Sequence, residues 1–256
     1  MSGRCDVVED GRTTIVRIEN AAAANALTPA ILDELDDALE RARTSGTRAV
    51  VIRGSGGRFS SGYDLGELAD DPAAGRARLA EVLRAIELHP LPVIAVVEGH
   101  CVGAGLELAL ACDFRLAAPD LSMMMPSARL GIVYPPEGVK RLVDAIGAAR
   151  TRFLMYTGEA VSAETALQFG LVEMVVADDD IESRLRAICR LLDTERAPRS
   201  LKGTKETVRL VAEDLSATSM RQHTRLDSLV DRALASTDHA EARRARAERR
   251  PPRFSG

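Results

Sequence analysis

The chain has 256 residues, of which 46% are hydrophobic and 28% charged, and its formal net charge is −4 at pH 7. This length suits one full-size α/β domain, or a core domain with a helical appendage. The charge gives no reason to expect a nucleic-acid partner, which needs a concentrated basic surface, and no apolar run reaches the roughly 18 residues of a membrane span.

Strands dominate the first half of the predicted element order. Apolar and polar residues alternate in part over 13–19, which is typical of a half-buried strand. Thr28 followed by Pro29 is the usual start of a helix, and apolar residues then recur at helical spacing: Ile31, Leu32, Leu35 and Leu39. Further strands are predicted at 48–53, 93–98, 113–117 and 122–125.

The second half is predicted to be largely helical, with one strand at 171–176. The chain contains no repeat of tetratricopeptide or ankyrin period. Predicted helices after the first lie at 77–88, 106–111, 136–146, 148–157, 162–169, 178–193, 199–213 and 217–236. We therefore predict a core domain over 1–195 and a C-terminal helical region over 196–256.

Cysteine and histidine usage indicates a cytoplasmic protein without a metal site. The four cysteines are scattered and form no CxxC pair, so we expect reduced thiols. The polar first residues lack the apolar stretch of a signal peptide. The four histidines lie far apart, and no HExxH spacing occurs.

Two glycine-rich or polar loops carry the functional signal. Gly99–Gly105 connects a predicted strand to a predicted helix, and the first N–H groups of a helix have no partner within it. They lie at the positive end of the helix dipole and can bind an anion or a polarised carbonyl oxygen. Phe59–Leu65 follows the preceding strand and offers a second set of backbone donors. Two donors from different loops can form an oxyanion hole.

Five segments resemble the crotonase (enoyl-CoA hydratase/isomerase) superfamily. Phe59–Leu65 (FSSGYDL) resembles its F-S-A-G-A-D-L loop, and Gly99–Asp113 (GHCVGAGLELALACD) is similar to its second glycine-rich motif. Asn25–Leu27 resembles its N-A-L segment near the coenzyme A path. Gly158–Val176 resembles its G-x₄-A-x₂-A-x₃-G-L-V-x₂-V stretch, and Arg250–Phe254 its C-terminal K-R-x-P-x-F. Together these segments extend over essentially the whole chain.

The resemblance implies a fold, an assembly and a substrate. The fold is an α/β superhelix of ββα turns with two roughly perpendicular sheets and a C-terminal helical region. The assembly is a homotrimer or a hexamer. The substrate is an acyl-CoA thioester in fatty acid metabolism, and coenzyme A enters as part of the substrate, with no separate cofactor or metal. No nucleic-acid or membrane partner is expected.

The resemblance also implies roles for the two loops. The backbone N–H groups of Tyr63 and Ala104 would bind the thioester oxygen and stabilise the enolate formed beside it. Residues around these donors would contact the substrate: Ala26, Ser61, Gly62, Asp64, Leu65 and Gly103. Possible contacts for the coenzyme A phosphates are basic residues near Lys202 and Lys205. The arginine-rich stretch 241–253 is read as a solvated helix and tail, or alternatively as a contact with nucleotide phosphates or a neighbouring subunit.

The family's hydratases use two glutamates, and only one has an equivalent here. Glu107 matches the first, in the helix after the second loop. The second would follow Pro126, where this chain has Ser127, and serine has no pKa suited to acid–base catalysis near neutrality. We place Ser127 in the substrate-binding set. Glu137 is the candidate replacement, or alternatively a solvated glutamate favoured by the helix dipole.

Three functions remain open at this point. The first is an enoyl-CoA hydratase/isomerase-type lyase or isomerase with Glu107 as the main acid/base. The second is a decarboxylase, because the segment Pro126–Tyr134 resembles methylmalonyl-CoA decarboxylases, whose pocket tyrosine Tyr134 matches. The third is a catalytically silent acyl-CoA-binding protein, for which the serine at 127 is the main support.

Overall fold

A computed structural model describes residues 3–64, 66, 72–213, 228, 231–232, 234–248, 250 and 252–254. The strands are β1 (Arg4–Asp10), β2 (Thr13–Glu19), β3 (Ala49–Gly54), β4 (Val93–Val97), β5 (His100–Val102), β6 (Phe114–Ala117), β7 (Ser122–Met124), β8 (Val161–Ser162) and β9 (Met174–Val175). The α-helices are α1 (Pro29–Ala42), α2 (Pro72–Glu87), α3 (Ala104–Ala111), α4 (Ser127–Leu130), α5 (Pro136–Thr157), α6 (Ala163–Phe169), α7 (Asp178–Arg190), α8 (Pro198–Glu213) and α9 (Thr237–Ala247).

Two sheets organise the described residues. The larger has the strand order β1-β2-β3-β4-β6-β9, and the smaller has the order β5-β7-β8. In the larger sheet β1 and β2 are antiparallel, and the neighbours from β2 to β9 are parallel. Parallel neighbours end at the same edge of a sheet, so the loops that follow β3 and β4 leave side by side. This edge carries both predicted functional loops.

The larger sheet is covered on both faces. Successive side chains of a strand point to opposite faces, and β4 divides its buried residues accordingly. Val93, Ala95 and Val97 join the main core cluster with α1, whereas Ile94 and Val96 join a second cluster with Ile181, Leu185 and Ile188 of α7. Burial on both faces explains why β3 and β4 are nearly continuous apolar runs.

The start of α1 forms as its sequence predicts. The side chain of Thr28 accepts a hydrogen bond from the N–H of Ile31 at 3.3 Å, and Pro29 occupies the first helical position. All four apolar residues named for this helix are fully buried. The N-cap satisfies a donor that the helix itself leaves without a partner.

Most predicted elements are confirmed to within a few residues, and the α/β class with two sheets is confirmed. The predicted helices 136–146 and 148–157 are confirmed, because the non-helical Gly147, with φ 76° and ψ 161°, separates two helices within the range labelled α5. The predicted strand 171–176 shortens to β9, because only two residues pair with β6. Residues 217–236 lie mostly outside the described residues, and the boundary at 195/196 stays a prediction.

Four of these elements before α9 were not predicted: β1, β5, β8 and the four-residue helix α4. The residues of β1 are mostly polar or charged because this strand lies at the edge of the sheet. The strand β8 spans two residues, and β5 spans three within the glycine-rich turn. No described helix is long and apolar enough to cross a membrane.

Candidate active site

The first loop is fixed by the side chain of Asn25. Its amide nitrogen donates to the carbonyls of Ser55 and Arg58 at 2.9 and 2.8 Å, and its amide oxygen accepts from the N–H of Asn20 at 3.0 Å. The hydroxyl of Ser60 donates to the Asn25 carbonyl at 2.8 Å. A buried amide bonded on both ends is a strong positional constraint. The N-A-L segment therefore holds the first loop in place.

A short parallel bridge sets the direction of the Tyr63 backbone. Leu27 donates to the Gly62 carbonyl at 2.7 Å and accepts from the Asp64 N–H at 2.9 Å. In a parallel bridge, the residue between these two partners directs its own N–H and C=O to the opposite side. The Tyr63 N–H therefore points away from Leu27.

The first loop lies directly against the second. Ser60 accepts from Val102 at 2.9 Å and donates its N–H to His100 at 3.0 Å. Gly62 has φ +100°, and a Cβ built there would lie 2.8 Å from the Val102 carbonyl oxygen and 3.4 Å from the Ala104 nitrogen. Only glycine tolerates this backbone conformation at such close approach. The structure thus brings the Gly62–Tyr63 peptide next to the start of α3.

The second loop ends at Gly103, the N-cap of α3. Gly103 has φ 55° and ψ −117°, and its N–H donates to the Met124 carbonyl at 3.0 Å. The N–H groups that follow it, beginning with Ala104, belong to a first helical turn and have no acceptor within the helix. Gly105 packs against Ser60, where a Cβ would lie 2.8 Å from the serine Cβ. The positive end of α3 and the first loop therefore share one surface.

Glu107 lies one turn into α3 and is almost fully buried. Its side chain points at α5, where an Arg141 Nη1 lies 3.5 Å from the Glu107 Oε2. A Cβ added at Gly138 would collide with the Glu107 carboxylate. A side chain at position 138 would thus occupy the space that the carboxylate fills.

Burial raises the pKa of the Glu107 carboxyl to about 7. The Arg141 guanidinium opposes this shift and lowers the pKa, whereas the charge of Glu137 raises it. Desolvation disfavours the charged form of a carboxyl group. A pKa near the working pH lets one group both accept and release protons, which is what an acid/base catalyst needs.

Tyr134 is half-buried and lies between the second loop and Glu107. Its hydroxyl would lie 2.9 Å from a Cβ built at Gly103. Burial, and secondly the charge of Glu107, raise the pKa of the Tyr134 phenol. The phenol therefore stays protonated and can donate a hydrogen bond.

Glu137, the candidate second carboxylate, and Ser127, predicted to bind substrate, lie in different surroundings. Glu137 is exposed in the first turn of α5 and acts on Glu107 through its charge. Ser127 is buried, and its hydroxyl donates to the Met155 carbonyl of α5 at 3.2 Å. The structure thus places Glu137 near the buried carboxylate but ties the Ser127 hydroxyl to a helix backbone.

The other predicted substrate-binding residues lie on the two loops. Ala26 is buried beside Asn25. The Ser61 hydroxyl donates to the Ala23 carbonyl at 2.8 Å, and the Asp64 Oδ1 accepts from the Gly66 N–H at 2.9 Å. Leu65 lies outside the described residues. Contact of any of these with a substrate stays a prediction.

A cleft of about 940 Å³ adjoins the site on the far side of Arg141. Its walls come from α2, the start of α5 and α8. Glu87, Glu137 and Arg141 line it, whereas Tyr63, Ala104 and Glu107 do not. Among the described residues, Arg141 lines the cleft and also contacts Glu107 of the candidate site.

Of the two lysines named for contact with the coenzyme A phosphates, Lys205 has partners within the chain. The Lys205 ammonium donates to Asp113 at 2.8 Å and to the carbonyls of Ile86 and Leu91 at 3.2 Å each. An ammonium has three donors, and these three acceptors account for all of them. Lys205 therefore joins α8 to the core, and phosphate contact by basic residues near Lys202 and Lys205 stays a prediction. Lys202 is exposed.

Part of the arginine-rich stretch is tied within the chain. The Arg250 Nη1 lies 2.6 Å from a Glu241 oxygen, and Arg244 pairs with the same carboxylate. The Glu241 carboxylate also accepts from the Arg253 N–H at 2.9 Å. Arg250 and the Arg253 backbone thus join the residues after α9 to that helix, whereas the Arg244–Glu241 pair lies within α9.

The described residues contain no group of three or more His, Cys, Asp or Glu side chains that could hold a metal ion. Sequence reasoning did not single out Arg141 or Gly138, both of which contact the buried carboxylate. Residues 137, 138 and 141 lie at i, i+1 and i+4 of one helix, and i, i+4 neighbours share a face. The i, i+4 spacing of residues 137 and 141 was the sequence signal that could have identified Arg141.

A sequence model of the enoyl-CoA hydratase/isomerase family matches residues 11–256. The chain belongs to this family. It is 32% identical over 244 residues to a probable enoyl-CoA hydratase of Mycobacterium tuberculosis (strain CDC 1551 / Oshkosh), covering 94% of this chain and 95% of that protein. It is 31% identical over 255 residues to a probable enoyl-CoA hydratase of Bacillus subtilis (strain 168), covering 96% of each. The crystal structure of an enoyl-CoA hydratase from Bacillus anthracis matches with a TM-score of 0.90 at 29% identity, over 99% of each chain.

Proposed function

We propose that this enoyl-CoA hydratase/isomerase family member binds an acyl-CoA thioester and acts on it as a lyase or isomerase of enoyl-CoA type. The observation that carries the proposal is the position of Glu107. It lies buried on α3, one turn after the junction of the two backbone loops. Hydration of a 2-enoyl thioester is the reaction that we favour, since the relatives described above are named as hydratases.

The proposed oxyanion hole consists of the N–H groups of Tyr63 and Ala104. The bridge at Leu27 supports the direction of the first donor, and the start of α3 supplies the second. Each such donor is worth about 3–4 kcal/mol when charge develops on the oxygen. Because both donors are backbone groups, the tyrosine side chain at 63 does not interfere.

Glu107 would move the proton in this reaction. It accepts a proton from water as the hydroxide oxygen bonds to C3 of the enoyl group, and the electron pair shifts to the thioester oxygen as an enolate. The protonated Glu107 then delivers that proton to C2, and the carbonyl re-forms. One carboxyl group with a pKa near 7 can serve both steps.

The remaining polar groups have supporting roles in this proposal. Tyr134 supplies a protonated hydroxyl beside the second loop, where it can orient the water or the thioester. Glu137 is the candidate second carboxylate and lines the adjoining cleft. Ser127, tied to Met155, takes no proton in this scheme.

We also propose the cofactor use, assembly, location and metabolic role of the protein. Coenzyme A takes part as a portion of the substrate, and no other cofactor or metal is needed for hydration or a double-bond shift. We propose a homotrimer or hexamer, a cytoplasmic location and a place in fatty acid metabolism. The scattered cysteines support the location.

The test is a panel of thioesters followed by mass spectrometry. It contains 2-enoyl-, 3-enoyl-, 3-hydroxyacyl- and malonyl-type CoA esters. We expect addition of water or a double-bond shift, and a loss of turnover of at least about a hundredfold in Glu107→Gln. Glu164→Gln, an exposed carboxylate on α6, is the control and should keep full activity.

Other outcomes of the panel would overturn the proposal. Loss of carbon dioxide from a malonyl-type ester, abolished in Tyr134→Phe, would instead establish a decarboxylase. Binding of the thioesters with no turnover of any of them would establish a silent acyl-CoA-binding protein. Unchanged turnover in Glu107→Gln would remove Glu107 from the chemistry.

A further inference from the structure

Arg141 lies between two carboxylates from different helices. Its Nε lies 2.6 Å from the Glu87 Oε1 at the end of α2, and its Nη1 lies 3.5 Å from the Glu107 Oε2 of α3. The Arg141 side chain is only 12% exposed. A single buried guanidinium therefore links the candidate catalytic carboxylate to the wall of the adjoining cleft.

The two contacts differ in kind. The contact with Glu87 is a short, charge-assisted hydrogen bond. The contact with Glu107 is an ion pair at a distance where a hydrogen bond has faded. Glu87 therefore has the stronger hold on the guanidinium.

We propose that Arg141 is a positioning residue for Glu107, and that Glu87 holds its guanidinium off the Glu107 carboxylate. The inference deepens the proposed function and rests on it. Arg141 attracts Oε2 toward α5, where Gly138 leaves the necessary space. The other oxygen, Oε1, is then the one turned to the reacting atoms. A tighter pair with Arg141 would hold Glu107 as a carboxylate and stop it from accepting the proton of water that it must later deliver.

The charges around Glu107 agree with this arrangement. From α5 it faces Arg141 and Glu137, and from the segment before α5 it faces Tyr134. Arg141 lowers the pKa of Glu107, yet burial keeps that pKa at about 7. A fully engaged cation within about 4 Å lowers a carboxyl pKa by about 1–3 units, so a weaker pair suits a group that must change protonation state.

Two substitutions should shift the pKa of Glu107 in opposite directions. Arg141→Gln removes the cation, and we expect the pKa of Glu107 to rise by about one unit. Glu87→Gln removes the competing anion, so Arg141 can approach Glu107, and we expect that pKa to fall by about half a unit. Arg141→Lys keeps the positive charge, and the pKa of Glu107 in this variant should lie between its values in the wild type and in Arg141→Gln. Charge alone predicts these opposite signs, so the kcat and KM of Arg141→Gln decide whether Arg141 positions Glu107.

The experiment has a readout that needs no turnover. The protonation of Glu107 is followed by infrared difference spectroscopy of its carboxyl band over pH 5–9, with Glu107→Gln as the blank. The matched control is Lys140→Gln, which removes the neighbouring, exposed cation that pairs with Asp144. It should leave the Glu107 titration unchanged. Thermal unfolding checks that each variant is folded.

Kinetics then separate this inference from the proposed function. With a thioester that the wild type converts, Arg141→Gln should lower kcat about tenfold with KM within about twofold, because Arg141 orients Glu107 and does not bind the substrate. Shifts of the same sign, or none, in Arg141→Gln and Glu87→Gln would overturn the inference. Absence of turnover in the wild type, with the opposite shifts still present, would overturn the proposed function alone.

Discussion

At the scale of single residues, Glu107 combines a cost to stability with a use in catalysis. A carboxyl group whose pKa rises from about 4.5 to about 7 on folding binds a proton more tightly in the folded state. The folded state is then favoured by this group at low pH, and the contribution is lost as pH rises through that window. A residue selected only for stability would not be a buried glutamate.

Glu107→Gln should therefore stabilise the protein above neutrality. The expected gain in the free energy of unfolding at pH 8 is on the order of 3 kcal/mol, and it should vanish near pH 4. Urea unfolding of both proteins from pH 4 to pH 8 measures this difference. A gain that does not depend on pH would show that the carboxyl group does not titrate as described.

Gly138 tests the space that the carboxylate occupies. Gly138→Ala should displace the carboxylate and lower turnover by at least about tenfold, because a Cβ there would collide with Glu107. The control is Gly203→Ala in α8, where a Cβ would meet nothing within 4 Å. That change should keep turnover and add about 0.5–1 kcal/mol of stability. Equal effects at both sites would contradict the described geometry.

At the scale of elements, the site depends on how two loops are joined. The N-A-L segment before α1 holds the loop after β3, and that loop holds the turn before α3. The chain of contacts passes through the Asn25 amide, which uses both its donors and its acceptor. Loss of this amide should loosen both loops together.

Asn25→Asp keeps the shape of the side chain but replaces a double donor with an acceptor. Two carbonyls, of Ser55 and Arg58, would then face a carboxylate in partly buried surroundings. We expect a loss of about 3 kcal/mol in the free energy of unfolding, measured in urea. Ser61→Ala removes an exposed hydroxyl of the same loop and should cost less than about 1 kcal/mol. A loss below 1 kcal/mol in Asn25→Asp would contradict the role of the amide.

The sequence predicts helices and strands well where burial requires a regular spacing of apolar residues. The apolar runs of β3 and β4 and the helical spacing in α1 led to the correct elements, because both faces of the sheet are covered. The strand β1 escaped prediction because an edge strand need not be apolar. The pair Arg141–Glu87 joins residues 54 positions apart, and no local pattern reports such a contact.

At the scale of the whole molecule, strand order decides where the chemistry can lie. The strands β3 and β4 are parallel neighbours, so the loops that follow them meet at one edge. The motifs were visible in the sequence, and their meeting follows from this topology. The burial of Glu107 does not, because it depends on α5 folding over α3.

The exposed apolar side chains bear on the assembly of the protein. Large apolar side chains remain exposed in the described chain, including Val133 at 97% and Tyr156 at 72%. Exposed apolar patches often mark surfaces of association. Light scattering after size exclusion should give three or six times the mass of one chain. The mass of a single chain at micromolar concentration would contradict the proposed trimer or hexamer.

We propose that the N–H groups of Tyr63 and Ala104 bind the thioester oxygen beside Glu107. The most direct test is the infrared band of a ¹³C-labelled thioester carbonyl, with crotonyl-CoA bound to the Glu107→Gln protein so that turnover does not interfere. Because two backbone donors polarise the carbonyl, we expect a band at lower wavenumber than in water. A band at or above its position in water would show that these donors do not bind the thioester oxygen.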